Sequence, residues 1–311
     1  MKPLIGALAM TVTLTTTPLA HASFEDEATI KTMVESVGLL ADRHEFEALE
    51  KLYADEFVLD YSSLSGQPAE LKSPQALMTE WASVLPGFDR TRHDLSNVAA
   101  TIDGDQATAT ASVEAGHWID GAYWQVDGAY DYQFERQGGD WKITSMTFTV
   151  QHEIGSRDLF APAIEATANN PAPYIQRQQT RQTVIDFLTG LETKDMDKVN
   201  QVWAEDAVQD MPYVPAYWDH QVIGKSALIA QYAGWPEVSG AANFTDTLIF
   251  YPMQDPQTVY VEFKGEVEIL PTGRTYRQTY GGLFHVEHGK ITLYREYFDP
   301  RAFERAFGLS D

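Results

Sequence analysis

The sequence contains no cysteine among its 311 residues, so disulfides, thiol nucleophiles and cysteine-ligated metals are all excluded. Basic residues are also scarce, since 22 Lys and Arg oppose 45 Asp and Glu and leave a net charge of −23. Phosphate-rich partners require clustered positive charge. We therefore expect neither nucleic acid nor a membrane as a partner.

Sequence signals for bound groups are missing as well. The chain has no Gly-rich phosphate loop and no serine nucleophile elbow, which predicts chemistry without a nucleotide cofactor and without serine hydrolysis. His285 and His288 lie three residues apart where a strand runs into a turn, so their side chains point to opposite faces and lack a third ligand. We therefore predict no cofactor and no metal site.

Long hydrophobic runs are absent except at the start of the chain. Met1-Lys2 precedes an uncharged stretch from Pro3 to Ala20, and a small-x-small sequence ends at Ala22. This pattern is typical of a secretory signal peptide and is short for a membrane span. We predict a signal peptide over residues 1–22 and a periplasmic or secreted protein.

The chain contains an internal repeat. Residues 49–61 align without a gap on residues 199–211, and Lys-Ile-Thr recurs at 142–144 and 290–292. A period near 150 residues indicates two whole domains in tandem, since solenoid units are only ~20–50 residues long. We predict domain one over 23–160, a linker rich in Ala, Asn and Pro over 161–174, and domain two over 175–311.

Each half begins with helical periodicity and ends with strand-like runs between turn signals. In the second half the predicted strands cover 245–252, 257–269, 274–286 and 290–298, and a final helix covers Pro300–Phe307. Helices followed by an antiparallel meander predict the α+β class.

The segment Leu52–Tyr61, leading out of the second helix, resembles the SnoaL-like branch of the nuclear-transport-factor-2-like superfamily. The resemblance covers nearly all of the chain after the signal peptide. It implies two tandem cone-shaped α+β barrels of the cystatin-like kind. Each would have three N-terminal helices, a curved antiparallel sheet and an apolar pocket with one mouth.

Domain one is most similar to scytalone dehydratase and its bacterial relatives, through Leu85–His93 and the later His117. The resemblance implies proton transfer around a bound ring by four residues: His93, His117, Asp42 and Tyr61. A second pocket tyrosine of that family falls on Ala41 in this sequence, and a pocket asparagine falls near Tyr130.

Domain two is more similar to the phenazine-biosynthesis A/B proteins, through Tyr251–Pro256 and Arg295–Pro300. The resemblance implies an acid/base glutamate at Glu296. The family's partner histidine falls near Tyr232, so half of that pair is present.

Strand alternation allows the faces of two candidate residues to be assigned. His117 shares a face with Ala109, Ala111, Val113 and Ala115, which predicts a buried neutral imidazole able to accept a proton; the alternative is an ordinary core histidine. Glu296 shares a face with aromatic residues, which predicts a raised pKa; the alternative is a structural ion pair with Arg274 or Arg277.

These patterns predict an exported, cofactor-independent acid/base enzyme, a lyase (dehydratase) or an isomerase, acting on a small cyclic or polyketide-like apolar molecule. The candidate catalytic residues are His93, His117, Asp42, Tyr61 and Glu296. The alternative is a non-catalytic periplasmic binding or scaffold protein that uses the same apolar pockets. We expect the two domains to pack sheet to sheet as an intramolecular pseudo-dimer, and further homo-oligomers are compatible with this arrangement.

Export predicts that residues 1–22 are removed and that the mature chain begins at Ser23. Intact-mass analysis of protein collected from the periplasm or medium of a bacterial host checks this. A collected chain that still begins at Met1 would contradict it.

Overall fold

The computed structural model describes residues 24–215 and 217–309. The predicted signal peptide, residues 1–22, lies outside the described residues. The chain divides into two compact units, Met1–Ala163 and Ile164–Asp311. Among the helices of the described ranges, none combines the length and the hydropathy needed to cross a bilayer.

The first unit has helices mainly at its start and long strands afterwards. Its elements are α1 (Phe24–Asp42), α2 (Phe46–Glu50), β1 (Tyr53–Asp60), α3 (Ser62–Ser65), β2 (Glu70–Lys72), α4 (Pro74–Ala82), β3 (Arg90–Asp103), β4 (Gln106–Ile119), β5 (Ala122–Gln137) and β6 (Asp140–Gly155), followed by α5 (Phe160–Asn169), which crosses the unit boundary.

The second unit repeats this plan. Its elements are α6 (Pro173–Thr193), α7 (Met196–Gln201), β7 (Trp203–Asp210), β8 (Gln221–Ile223), α8 (Lys225–Tyr232), α9 (Trp235–Val238), β9 (Ser239–Asn243), β10 (Ile249–Pro252), β11 (Thr258–Ile269), β12 (Arg274–Glu287), β13 (Lys290–Tyr297) and α10 (Pro300–Phe307). The predicted α+β class and the terminal helix are confirmed, and three of the four predicted strands match β11, β12 and β13. The predicted strand 245–252 is confirmed only over Ile249–Pro252.

Each unit has one sheet of the same topology. The first has the order β2-β1-β6-β5-β4-β3, and the second has β10-β11-β12-β13-β7-β8 with β9 also paired to β11. The sheets are mixed, because β1 pairs with β6 and β7 with β13 in parallel. The prediction of a purely antiparallel sheet is therefore wrong for one strand pair in each unit.

The repeated Lys-Ile-Thr begins with a lysine that makes the same contact in both units. In the first unit, the Lys142 ammonium donates to the carbonyl of Lys51 at 2.6 Å, at the end of α2. In the second unit, Lys290 donates to the carbonyl of Gln201 at 2.5 Å, at the end of α7. The repeated Lys-Ile-Thr therefore binds the end of the second helix to the last strand in both units.

One face of each sheet is buried. Along β11 buried and exposed residues alternate almost without interruption, as expected for a sheet covered by helices on one side. On β4 the residues Ala109, Ala111, Val113 and Ala115 are all buried with His117, which confirms their predicted face. β-Bulges interrupt the ladders between β3 and β4 and between β5 and β6, and bulges bend strands. The bent sheets lie against the helices that precede them.

The stretch predicted as a linker, residues 161–174, is largely helical. Helix α5 covers Phe160–Asn169, and α6 begins at Pro173, inside the predicted linker. The unit boundary falls within this stretch. The Ala-rich composition that suggested a linker is also favourable for a helix, because Ala has the best helix propensity.

Glu192 at the end of α6 holds the chain where β9 ends. Its carboxylate accepts the backbone N–H groups of Phe244 and Thr245 and the Thr245 hydroxyl. We expect Glu192→Ala to lower the free energy of unfolding by about 1–3 kcal/mol, because two backbone donors lose their acceptor. Urea denaturation measures the change.

Glu205→Ala is the matched control. Its side chain is 88% exposed and pairs with Lys225, so its removal should cost less than about 1 kcal/mol. Equal losses for the two variants would contradict the role given to Glu192.

Candidate functional site

Asp42, the last residue of α1, is held by three hydrogen-bond donors. Its Oδ1 accepts the Thr91 hydroxyl at 2.8 Å and lies 2.7 Å from Nδ1 of His93, while its Oδ2 accepts the backbone N–H of His93 at 2.8 Å. Burial alone raises the pKa of Asp42, but the hydrogen bonds and charge of His93 outweigh it and leave that pKa below its usual value. Asp42 is therefore an ionised carboxylate at neutral pH.

The Asp42 contact determines the tautomer of His93. An ionised carboxylate only accepts hydrogen bonds, so Nδ1 of a neutral His93 carries the proton and donates it to Asp42. Nε2 then has the free lone pair, on a ring that lines the cavity of the first unit. This is the arrangement in which a carboxylate orients an imidazole to act as a base.

His117 lies on β4 beside His93, with 5.9 Å between the ring centroids. It is packed among the rings of Phe88, Trp124 and Phe160 and is only 5% exposed. Burial first, and then the charge of His93, lower the pKa of His117 to about 3. The predicted neutral state is therefore present, but so low a pKa makes His117 a poor proton acceptor.

Tyr61 follows β1 and lines the same cavity, where its hydroxyl hydrogen-bonds to that of Tyr130. Burial raises the pKa of Tyr61 well above its usual value and that of Tyr130 to about 12, so both are neutral phenols. The cavity has a volume of about 230 Å³. The fold thus brings His93, His117 and Tyr61 to one cavity, with Asp42 bound to His93.

The wall of this cavity contains polar atoms without a protein partner. Among the described residues, Nδ1 of His117, Nε1 of Trp124 and the hydroxyl of Tyr132 are buried and make no hydrogen bond within the protein. All three side chains line the cavity. Buried polar groups are normally paired, so these atoms are candidates to bind a ligand.

Glu296 lies in the second unit and lines a different cavity, of about 620 Å³. Its Oε2 accepts the side-chain N–H of Gln209 at 2.8 Å, and the Tyr294 hydroxyl also bonds to its carboxyl group. Burial raises the pKa of Glu296 to about 7, and the two hydrogen bonds only partly oppose this. The pKa of Glu296 is therefore raised, as the sequence predicted.

The structural alternative for Glu296, an ion pair with arginine, is wrong. Arg277 binds Glu266, and Arg274 donates to the carbonyl of Arg305. Tyr232, at the position of the expected histidine, reaches Glu296 only through Gln209, whose Oε1 accepts the Tyr232 hydroxyl at 2.9 Å.

The strand registers show why the two cavities differ. They place four pairs of residues at equivalent positions: Leu59 and Gln209, Phe148 and Glu296, His93 and Phe244, and His117 and Val267. In each of these four pairs, the polar residue of one unit has an apolar counterpart in the other. The repeated carboxylates Asp60 and Asp210 are structural, because Asp60 accepts the N–H of Ser62, the first residue of α3, and Asp210 pairs with Arg295.

Sequence reasoning missed Gln209, which orients Glu296, and Phe160, which packs against His117. The repeat contained a signal for Gln209, since it aligns with the apolar Leu59. Phe160 begins a helix where a linker was predicted, so no local pattern indicated it. In the described ranges, no group of three His, Asp or Glu side chains is placed to hold a metal ion.

We expect the acid sensitivity of this protein to depend on His117. An unfolded chain protonates this histidine at about pH 6.5, and the folded chain only at about pH 3. Between these values the unfolded state binds more protons, so stability falls as the pH falls. The shifted pKa of His117 should therefore lower the free energy of unfolding by about 2 kcal/mol between pH 7 and pH 5.

Urea denaturation of the wild type and of His117→Gln at both pH values checks this. The variant should lose less stability on acidification, because the other titrating groups are common to both proteins. Equal losses would contradict a buried neutral His117.

Comparison with known proteins gives matches in both units. Two family models, each describing a SnoaL-like domain, match residues 22–147 and 184–294. The uncharacterized protein YesE of Bacillus subtilis is 31% identical over 129 residues, which are 42% of this chain and 87% of that protein. An uncharacterized PhzA/B-like protein of Pseudomonas aeruginosa, PA3332, is 27% identical over 128 residues, 41% of this chain and 89% of that one.

Parts of the chain are also similar to solved structures. A structure from Novosphingobium aromaticivorans, provisionally named a scytalone dehydratase, is 16% identical with a TM-score of 0.38 and covers 42% of this chain and 87% of that chain. A structure from Bacillus subtilis, provisionally named an isomerase, is 29% identical with a TM-score of 0.41 and covers 43% of this chain and 96% of that chain. The family matches in both units establish that the chain belongs to the SnoaL-like family and carries two of its domains, of the nuclear-transport-factor-2-like fold, in tandem.

Proposed function

We propose that the first SnoaL-like domain is a cofactor-independent acid/base enzyme, a dehydratase or an isomerase. The observation that carries this proposal is the Asp42–His93 pair at 2.7 Å, beside the neutral His117 in an apolar cavity. A cavity of about 230 Å³ is smaller than ligand sites usually are, at ~300–1,000 Å³, so the proposed substrate is a small cyclic or polyketide-like molecule.

His93 is the proposed base. Its Nε2 takes a proton from a carbon next to a carbonyl group, and Asp42 stabilises the imidazolium that forms. The hydrogen bonds from Thr91 and from the backbone of His93 keep the carboxylate in place throughout. Apolar surroundings strengthen this ion pair in the cavity.

The negative charge that develops on the substrate oxygen needs hydrogen-bond donors. Tyr61 and Tyr130 are neutral phenols joined by one hydrogen bond, so one of their two O–H groups is left to donate to a ligand, and the neutral ring of His117 has an N–H group. These groups can donate to an enolate oxygen without losing a proton to it. The unpaired polar atoms of the wall give a ligand further hydrogen-bond partners.

The proton then returns from His93 in one of two ways. In an isomerase, it adds to a different carbon of the enolate and moves the double bond. In a dehydratase, it joins a hydroxyl group on the neighbouring carbon, whose C–O bond breaks, and water leaves. Both routes restore the neutral imidazole, and the two differ only in the substrate.

Convergence of polar groups in the cavity favours catalysis over simple binding. A binding or scaffold protein needs an apolar pocket but no oriented base. The proposal also includes export to the periplasm, a pseudo-dimer of the two domains, and Glu296 as a second acid/base group, each of which remains a prediction.

Deuterium exchange tests the proposal without a known substrate. The protein is incubated in D2O with a panel of cyclic ketones, some bearing a hydroxyl group two carbons from the carbonyl carbon, and mass spectrometry follows deuterium uptake and loss of water. We expect His93→Gln to lower the exchange rate by ~100-fold or more, the usual contribution of a positioned base. Asp42→Asn should cause a loss of similar size by favouring the wrong tautomer.

His152→Gln is the matched control, because His152 is an exposed histidine on β6. Its exchange rate should equal that of the wild type. Exchange that persists unchanged in His93→Gln would rule out the proposed base.

A further inference from the structure

We propose that the cavity of the second SnoaL-like domain binds an organic cation, a protonated amine or quaternary ammonium group on an apolar body, with Glu296 as its counter-ion. This inference concerns the cavity around Glu296, not the cavity that contains the proposed base His93, and it does not depend on the chemistry of the first domain.

The cavity is a cage of aromatic rings around one carboxyl group. More than half of its lining side chains are aromatic. Four tyrosines, Tyr232, Tyr276, Tyr280 and Tyr294, are close enough to Glu296 for its charge to raise their pKa values. Aromatic faces attract ammonium groups, by ~2 kcal/mol or more when the pair is shielded from water.

The hydrogen bonds around Glu296 are arranged for its charged form. Gln209 donates to Glu296, and its Oε1 is already used by Gln231 at 2.8 Å and Tyr232 at 2.9 Å. Gln209 therefore has no free acceptor to offer a protonated carboxyl group. The network accommodates a carboxylate, yet burial holds its pKa near 7 because no positive charge lies beside it.

None of the described lining residues is Lys, Arg or His. The nearest residue in sequence that could pair with Glu296, Arg295, is bound instead to Asp210 at 2.7 Å. Asp219 adds a second acidic residue to the lining. The positive charge that would balance this cavity is therefore absent from its own wall and must come with the ligand.

Charge also distinguishes the classes of ligand. An anion would meet Glu296, Asp219 and the negative field of a chain with a net charge of −23. A neutral ligand would gain the apolar contacts but would leave Glu296 without a counter-charge. A cation gains the same apolar contacts and also pairs with the Glu296 carboxylate. The negative field of the protein raises its concentration nearby.

Three probes with the same naphthylmethyl body test the proposal: the trimethylammonium, the alcohol and the carboxylate. Titration calorimetry of the full chain at pH 8 measures each affinity. We expect the ammonium probe to bind at least tenfold more tightly than the alcohol, and the carboxylate probe to bind most weakly. Glu296→Gln should abolish this preference while keeping the affinity for the alcohol, which also shows that the variant cavity is folded.

The preference should depend on pH. Glu296 ionises at about pH 7 in the free protein, so affinity for the ammonium probe should rise by about tenfold from pH 6 to pH 8. The tyrosines facing it, Tyr232, Tyr276, Tyr280 and Tyr294, have raised pKa values and stay neutral across this range. Affinity for the alcohol should change little.

Glu205→Gln is the control for binding to the acidic surface, because Glu205 is an exposed carboxylate of the same domain. It should bind all three probes like the wild type. The proposal is overturned if the alcohol or carboxylate binds as tightly as the ammonium probe. It is overturned equally if the preference for the ammonium survives in Glu296→Gln.

Discussion

A carboxylate at the end of the first long helix holds each domain's helices to its sheet. Asp42 accepts the backbone N–H of His93, and Glu192 accepts those of Phe244 and Thr245. In the first domain the same carboxylate also binds the imidazole of His93 and leaves its other nitrogen free. A contact that the fold requires for attachment therefore also positions the proposed base, which explains why the proposed chemistry occurs at this point of the sheet.

The two domains keep one framework and differ in which equivalent positions are polar. The first domain has histidines where the second has Phe244 and Val267, and the second has Gln209 and Glu296 where the first has Leu59 and Phe148. Each exchange changes a side chain at an equivalent register position and keeps the pairing order of the strands. Duplication thus provided two cavities whose chemistry could diverge without cost to the sheet, because side chains are not part of the strand pairing.

Burial shifts the pKa of the central group in each cavity, in opposite directions in the two. It lowers the pKa of His117 to about 3 and raises that of Glu296 to about 7, since a low-dielectric environment disfavours whichever form is charged. His117 is consequently a neutral hydrogen-bonding group, and His93, whose Nδ1 is bound to the Asp42 carboxylate, is the proposed base. Glu296 is balanced between its two forms at neutral pH, so a bound cation can change its state.

The sequence by itself determined the duplication, the α+β class, the long strands and the buried face of His117, because these follow from periodic patterns among neighbouring residues. The candidate residues His93, His117, Asp42 and Tyr61 were also found from the sequence, although through family resemblance. Only the tertiary structure decided that Asp42 binds His93, 51 residues away. It also decided that Gln209, and not an arginine, binds Glu296, and that helix α5 occupies most of the predicted linker. Such contacts join residues distant in the chain, and the energy of burying a charge depends on everything packed around it, which no local pattern contains.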